Sequence, residues 1–234
     1  MACKFDLEVI IKLGGSAVTH KNAFETINQD AIAAAAKLVK NIKGKCVVVH
    51  GAGYNTQSQQ CFLRMVFQHW EFQSAVTPIV ELLEAGFVPI LHGDCVLDDV
   101  QGCSILSGDK IIQRLAEELR PKRVVFLTDV DGIYDKPPEK EDSVLLRKVY
   151  VKSDGQMNVT IATSNLHHDV TGGIREKLQT ASNIIRISEQ HSRVFVLNIM
   201  SETVAYSVCS RGVLDGNGTE ILAETQEFNR VNIQ

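Results

Sequence analysis

Strand-like apolar runs in this chain keep ending in glycine turns. Leu7 to Leu13 carries Val9, Ile10 and Ile11 and stops at Gly14-Gly15. Cys46 to Val49 runs into His50-Gly-Ala-Gly53, and Phe87 to Leu91 leads to His92-Gly-Asp94. Arg123 to Leu127 leads to the run Thr128-Asp-Val-Asp-Gly-Ile-Tyr134, and Arg193 to Leu197 reads as a further strand. Helical spacing fills the intervals. Asn28 to Lys43 places Ile32, Ala35, Leu38, Val39 and Ile42 on one face, and Val76–Glu84, Asp109–Leu119, Thr171–Ser188 and a short Glu202–Ser210 follow. Strands that alternate with helices predict an α/β domain with a mainly parallel sheet. In such sheets ligands bind where the strands end, which is where these glycines lie. Lys152 to His168 has little periodicity and reads as a hairpin with turns near Asp154-Gly155 and Asn165.

The length of 234 residues suits one large domain, or two lobes that share a sheet. A net charge of −4 leaves no broad basic excess for a nucleic-acid backbone, so the local lysines point to a small anionic ligand. None of the six cysteines forms a C-x-x-C pair, which argues against zinc and fits reduced thiols in the cytoplasm. The sequence carries no signal-peptide pattern at Met1 and no apolar run of membrane-spanning length, so no membrane partner is expected.

Three runs combine glycines with charged or hydroxyl residues: Lys12-Leu-Gly-Gly-Ser16, Thr128 to Tyr134, and Asp169-Val-Thr-Gly-Gly-Ile174. Glycine lets backbone N–H groups approach an anion, and a helix start adds donors and the positive end of a dipole. Lysine then neutralises charge that builds up in phosphoryl transfer. Lys12 before Gly14-Gly15 thus reads as a phosphate contact or as a solvated lysine at an ordinary turn. Lys21 is placed to fold back over the same phosphate, or is a surface residue. Asp109 in Ser107-Gly-Asp109 is a helix cap or a carboxylate that aims lysines. Asp129, Gly132 and Tyr134 suit a nucleotide's ribose, base or metal-bound phosphates. Gly173 opens a helix, and Lys177 lies one turn further on. His167 and His168 lack a third ligand at useful spacing, so no metal site is expected from protein side chains.

As an ordered set, K-L-G-G-S, H-G-A-G, G-F-V-P-I-L-H-G-D, S-G-D, F-L-T-D-V-D-G-I-Y and D-V-T-G-G-I-x-x-K resemble the amino acid kinase superfamily, and within it the isopentenyl phosphate kinases. The resemblance covers roughly Val9 to Gly53 and Val76 to about Ile221. It implies a three-layer αβα sandwich. It further implies ATP- and Mg²⁺-dependent phosphorylation of isopentenyl phosphate to isopentenyl diphosphate by a homodimer. An acceptor lobe would span about 1–120 and a nucleotide lobe about 121–234. Carried over by position, Lys12, Gly14, Gly15 and Ser16 would hold ATP phosphates, and Lys21 would stabilise the transferring group. Asp109 would orient the lysines. Gly53, Asp129, Gly132, Tyr134, Gly173 and Lys177 would bind the nucleotide, and Ala52, Gly53, Gln57 and Gly108 would lie at the acceptor phosphate.

The chain departs from this family at one place. The family continues H-G-A-G with S-F-G-H, whose histidine binds the acceptor phosphate; here the chain reads Tyr54-Asn-Thr-Gln57. Glutamine donates a hydrogen bond but carries no positive charge, and losing a charged hydrogen bond costs about 1.5–3 kcal/mol. Ser58 to Gln73 does not follow the family, and a stretch that walls the isoprenoid tail is absent before Val76. Its absence is expected to expose apolar surface and open the acceptor pocket; Phe62, Leu63, Met65, Val66, Phe67 and Trp70 either cover part of that surface or form a core or dimer patch. Three readings follow: an active isopentenyl phosphate kinase with a shortened acceptor lobe, a nucleotide-binding protein of weak catalysis that acts through dimerisation, or a related small-molecule kinase with a different acceptor.

Overall fold

The computed structural model describes residues 6–19, 26–51, 72–98, 100, 102–159, 173–188 and 191–224. Its spine begins with β1 (Leu7–Leu13), a run whose centre is fully buried because Val, Ile and Leu fill both faces of an internal strand. A short turn of helix, α1 (Gly15–Val18), follows, and then α2 (Gln29–Asn41). The Asn28 side chain caps α2 by accepting from the Ala31 N–H at 3.1 Å. After β2 (Lys45–His50) come α3 (Phe72–Glu84), β3 (Ile90–His92) and an antiparallel hairpin, β4 (Asp94–Asp98) with β5 (Gly102–Leu106). Helix α4 (Gly108–Leu119) starts at Ser107, whose hydroxyl accepts from Lys110 N–H at 3.3 Å. It ends at Arg120 in left-handed backbone, directly before Pro121. The remainder is β6 (Arg123–Thr128), β7 (Lys148–Val151), α5 (Gly173–Ile187), β8 (Arg193–Asn198), α6 (Glu202–Arg211) and β9 (Thr219–Ala223).

Among the described residues seven strands form one sheet in the order β3-β2-β1-β6-β8-β9-β7. From β3 to β8 the pairs are parallel; β9 runs antiparallel to β8, and β7 is parallel to β9. One face packs on α3, α4 and α5 through Leu83, Ile112, Leu115 and Ile184. The other packs on α1, α2 and α6 through Ala17, Ala31, Leu38, Val204 and Val208. This is the three-layer αβα sandwich with a mainly parallel sheet. The chain leaves β1 towards β2 and β3 on one side and resumes at β6 on the other, so the strand order reverses between β1 and β6. That reversal opens the crevice in which such sheets bind ligands.

Several boundaries differ from the sequence expectation. Helix α3 starts four residues before Val76, and it carries Pro78 inside it. Strand β3 covers Ile90–His92 rather than Phe87–Leu91, because pairing with β2 sets its extent: Val48 faces Ile90 and His50 faces His92. The β4–β5 hairpin and strands β7 and β9 carry too weak a pattern to be read beforehand. The expected turn at Asp154-Gly155 is present. Gly155 N–H donates to Lys152 C=O at 2.9 Å, and Lys152 N–H donates to Gln156 C=O at 2.8 Å. The expected turn at Asn165 and the apolar set from Phe62 to Trp70 lie outside the described residues.

Candidate active site

The site is built at the strand ends on either side of the reversal. Lys12, the penultimate residue of β1, is buried to 7% exposure. Its ammonium pairs with the Asp109 carboxylate at the start of α4 and stands 5.8 Å from the centre of the Phe126 ring on β6. A buried cation needs such a partner, because desolvation without compensation costs several kcal/mol. The pairing also directs Lys12 to the crevice. Gly108 lies beside it: a Cβ added there would meet Lys12 Cε, His50 O and Val49 Cγ1, each at 3.5 Å.

Beyond Lys12 the backbone folds tightly. Gly14 N–H donates to Leu127 C=O at 2.9 Å, and Gly51 N–H donates to Leu13 C=O at 3.1 Å. These bonds tie the ends of β1, β2 and β6 together. A Cβ on Gly51 would approach Gly15 N to 3.3 Å, and a Cβ on Gly14 would approach Leu127 O to 3.2 Å. The glycines therefore let three strand ends converge and leave a shallow backbone cradle above Lys12.

Ser16 extends the cradle towards the other half of the sheet. Its hydroxyl donates to Asp129 Oδ1 at 3.1 Å, and Asp129 is exposed at the crevice. The turn that carries Asp129 is anchored from below. Thr128 donates to Val130 C=O at 2.8 Å, and Thr219 Oγ1 accepts from Ile133 N–H at 2.8 Å and donates to Leu146 C=O at 2.6 Å. Gly132 is required by packing: a Cβ there would lie 2.6 Å from Thr219 Oγ1 and 2.9 Å from Leu145 Cδ1. Tyr134 is half-buried, and its phenol is pushed above its ordinary value by desolvation and then by the negative charge of Asp131.

The structure thus brings Lys12, Gly14, Gly15, Ser16, Gly108, Asp109 and Asp129 together. Gly132 and Tyr134 belong to the same turn as Asp129. Gly173 is the first residue of α5, and Lys177 follows one turn later. Lys21, Ala52, Gly53 and Gln57 lie outside the described residues. Sequence reasoning missed Asn198 and Asn217, which donate to Asp131, and Thr219, which holds the backbone of Ile133. It also missed a stack of His50 on His92, whose ring centres are 5.5 Å apart on neighbouring strand ends. The recurrence of histidine before glycine, in H-G-A-G and H-G-D, was the available signal for that stack. Beside it, the sheet edge at β3 exposes Phe87 and Ile90 to 63% and 67%.

Residues 69–198 match the pattern of the amino acid kinase family, and the chain belongs to that family. Isopentenyl phosphate kinases are among its relatives within the family. The enzyme of Arabidopsis thaliana is 44% identical over 121 residues, a match that covers 47% of this chain and 36% of that one. The chain therefore spans little more than a third of that relative. The enzyme of Thermoplasma acidophilum is 29% identical over 215 residues, with 74% of this chain and 84% of that one covered. A crystal structure of an isopentenyl phosphate kinase substrate complex superposes with a TM-score of 0.65 at 25% identity, over 92% of this chain and 99% of the other.

Proposed function

We propose that the chain is a phosphotransferase that moves the γ-phosphoryl group of ATP to isopentenyl phosphate, giving isopentenyl diphosphate and ADP. The observation that carries this reading is the buried Lys12–Asp109 pair at the foot of the glycine cradle. An oxygen of the acceptor phosphate attacks the γ-phosphorus, and the bond to the β–γ bridging oxygen breaks, so the extra negative charge ends on ADP. Lys12 is placed to meet charge that develops between the two phosphates, and Asp109 keeps its ammonium aimed there while the crevice fills. The close approaches at Gly14 and Gly51 let the strand ends converge beside the Gly15 turn, and a glycine turn that opens a helix suits a polyphosphate. Mg²⁺ bound with the nucleotide would offset part of the polyphosphate charge.

In this reading Lys21 and Lys177 add positive charge, Ser16, Asp129, Gly132, Tyr134 and Gly173 hold the nucleotide, and Ala52, Gly53, Gln57 and Gly108 face the acceptor. An acceptor lobe of about 1–120 and a nucleotide lobe of about 121–234 divide the work. The protein acts as a cytoplasmic homodimer. Among the described residues no helix is long and apolar enough to cross a membrane.

Steady-state ADP release in ATP and Mg²⁺, with and without isopentenyl phosphate, tests the reading. Stimulation by isopentenyl phosphate is expected. Nucleotide binding without stimulation would overturn it in favour of a nucleotide-binding protein of weak catalysis. A larger response to another phosphate or carboxylate would overturn the acceptor assignment. Gln57→His is expected to lower the KM for isopentenyl phosphate about tenfold, the effect of one charged hydrogen bond regained.

A further inference from the structure

Two amide side chains converge on the second carboxylate of the Thr128–Tyr134 turn. Asn198 Nδ2 donates to Asp131 Oδ1 at 3.1 Å, and Asn217 Nδ2 donates to Asp131 Oδ2 at 3.1 Å. The donors come from separate places. Asn198 ends β8, the neighbour of β6, and Asn217 lies in the turn that leads into β9. Asn198 is itself oriented, since its Oδ1 accepts from Met200 N–H at 2.9 Å and so leaves the amide nitrogen for Asp131.

The turn that carries Asn217 is shaped for this contact. Gly216 adopts φ +141°, a conformation that side chains disfavour, and a Cβ there would lie 2.5 Å from Val204 Cγ2. Two residues after Asn217, Thr219 grips Ile133 N–H at 2.8 Å. The β8–β9 connection thus holds the turn after β6 by a side chain on each side of Gly132.

The two carboxylates of the turn have different surroundings. Asp129 is exposed and accepts from Ser16 in the phosphate cradle. Asp131 is half-buried, and each of its oxygens is engaged by a neutral amide. A carboxylate held at both oxygens fixes the backbone on either side of it, and a fixed loop gives up less conformational freedom when a ligand binds. We propose that Asn198 and Asn217 are positioning residues for the nucleotide: by holding both oxygens of Asp131 they set the turn that presents Asp129 and Tyr134 to ATP. The inference rests on the reading that ATP binds at this turn.

The role separates from catalysis because Lys12 and Asp109 stand on other elements, β1 and α4. Loss of an amide should weaken nucleotide binding and spare the transfer step. A merely structural role would lower the folded fraction, and with it kcat, at constant KM. Asn217 is exposed, so its replacement tests the point without opening the core.

The experiment compares Asn217→Ala, Asn198→Ala and Asn217→Asp with the unmodified chain. It measures ADP affinity by calorimetry in Mg²⁺ buffer, and kcat and both KM values by ADP release. Each alanine variant is expected to raise the ADP Kd and the ATP KM about three- to tenfold, the effect of one lost hydrogen bond. Asn217→Asp sets a like charge against Asp131 and is expected to raise both further. Values of kcat and of the acceptor KM should stay within about twofold, the scatter of a small local change. Unchanged ADP affinity in both alanine variants would overturn the inference, as would a fall in kcat alone. If the unmodified chain binds ADP but ignores isopentenyl phosphate, the acceptor assignment fails while the shifts in ADP affinity still decide this inference. If it binds no ADP, both fall.

Discussion

Lys12 and Asp109, 97 positions apart in the chain, form an ion pair whose side chains are only 9% and 14% exposed. The pair joins the end of a central strand to the first turn of a helix on one face of the sheet. Removing either member leaves the other's charge uncompensated; the stranded Asp109 carboxylate lies in the first turn of α4, where the helix dipole favours it, whereas a stranded Lys12 ammonium has no such support.

Asp109→Asn is expected to destabilise the fold by about 3–5 kcal/mol, since the Lys12 ammonium stays buried without its counter-charge. Lys12→Met replaces the cation with a side chain of similar length but strands the Asp109 carboxylate, so it should cost somewhat less stability, by about the 0.3–1 kcal/mol with which the start of α4 favours a negative charge. It should still lower kcat about 10²- to 10³-fold, the range for losing one electrostatic group at the transition state. Urea midpoints and single-turnover rates on both variants separate the two effects.

Thr219→Val removes a hydroxyl that serves Ile133 N–H and Leu146 C=O at once. The buried Ile133 N–H would lose its partner, at about 1–3 kcal/mol, and the part-buried Leu146 C=O would lose a second bond at smaller cost. Gly132→Ala, which forces a methyl to within 2.6 Å of the same hydroxyl, is expected to cost about 1–3 kcal/mol through overpacking. Thermal unfolding reads both. A double variant, Gly132→Ala with Thr219→Val, should fall short of the sum of the two, because the groups share one contact.

Burial pushes the Cys46 thiol up to about 11 and the Cys209 thiol up to about 12, from an ordinary value of 9.0. A thiol that ionises later in the folded state contributes stability below pH 9. That contribution is lost as pH rises from 9 through 11 to 12, where only the unfolded chain readily gives up its protons. Unfolding midpoints should therefore fall above pH 9, and less steeply in a Cys46→Ala, Cys209→Ala variant. At pH 8 both thiols should resist alkylation in the native protein and react in urea, which mass spectrometry detects.

Ser16→Ala removes the contact between the cradle and Asp129 at an exposed position, so stability should stay within about 0.5 kcal/mol of the unmodified chain. The ATP KM is expected to rise severalfold. An unchanged ATP KM would remove Ser16 from the nucleotide site.

Strands β1, β2, β6 and β8 and helices α2, α4, α5 and α6 were legible in the sequence because local pattern decides them. Continuous Val, Ile and Leu runs make internal strands, and apolar residues three and four apart make helices with one buried face. The turn after β1 was legible too, since paired glycines at the end of an apolar run predict a tight backbone turn without knowledge of what lies opposite. The order of motifs along the chain was enough to point to the amino acid kinase family. Tertiary structure alone decided what each charged residue meets. The family resemblance anticipated that Asp109 would orient lysines, but no local signal joins Lys12 to Asp109 or Ser16 to Asp129, because those contacts arise only when the ends of β1 and β6 and the start of α4 are brought to one crevice. Gly132 reads in sequence as a ligand contact, and only the fold shows that Thr219 on β9 also packs against it. Asp131 and Asp129 read alike in sequence, two residues apart in one turn. Parallel pairing of β6 with β8 and the return of the chain through β9 gave one of them two amides and left the other open to solvent. Spacing along the chain sets the backbone, whereas the partners of a buried charge are fixed by which strand ends the sheet lays side by side.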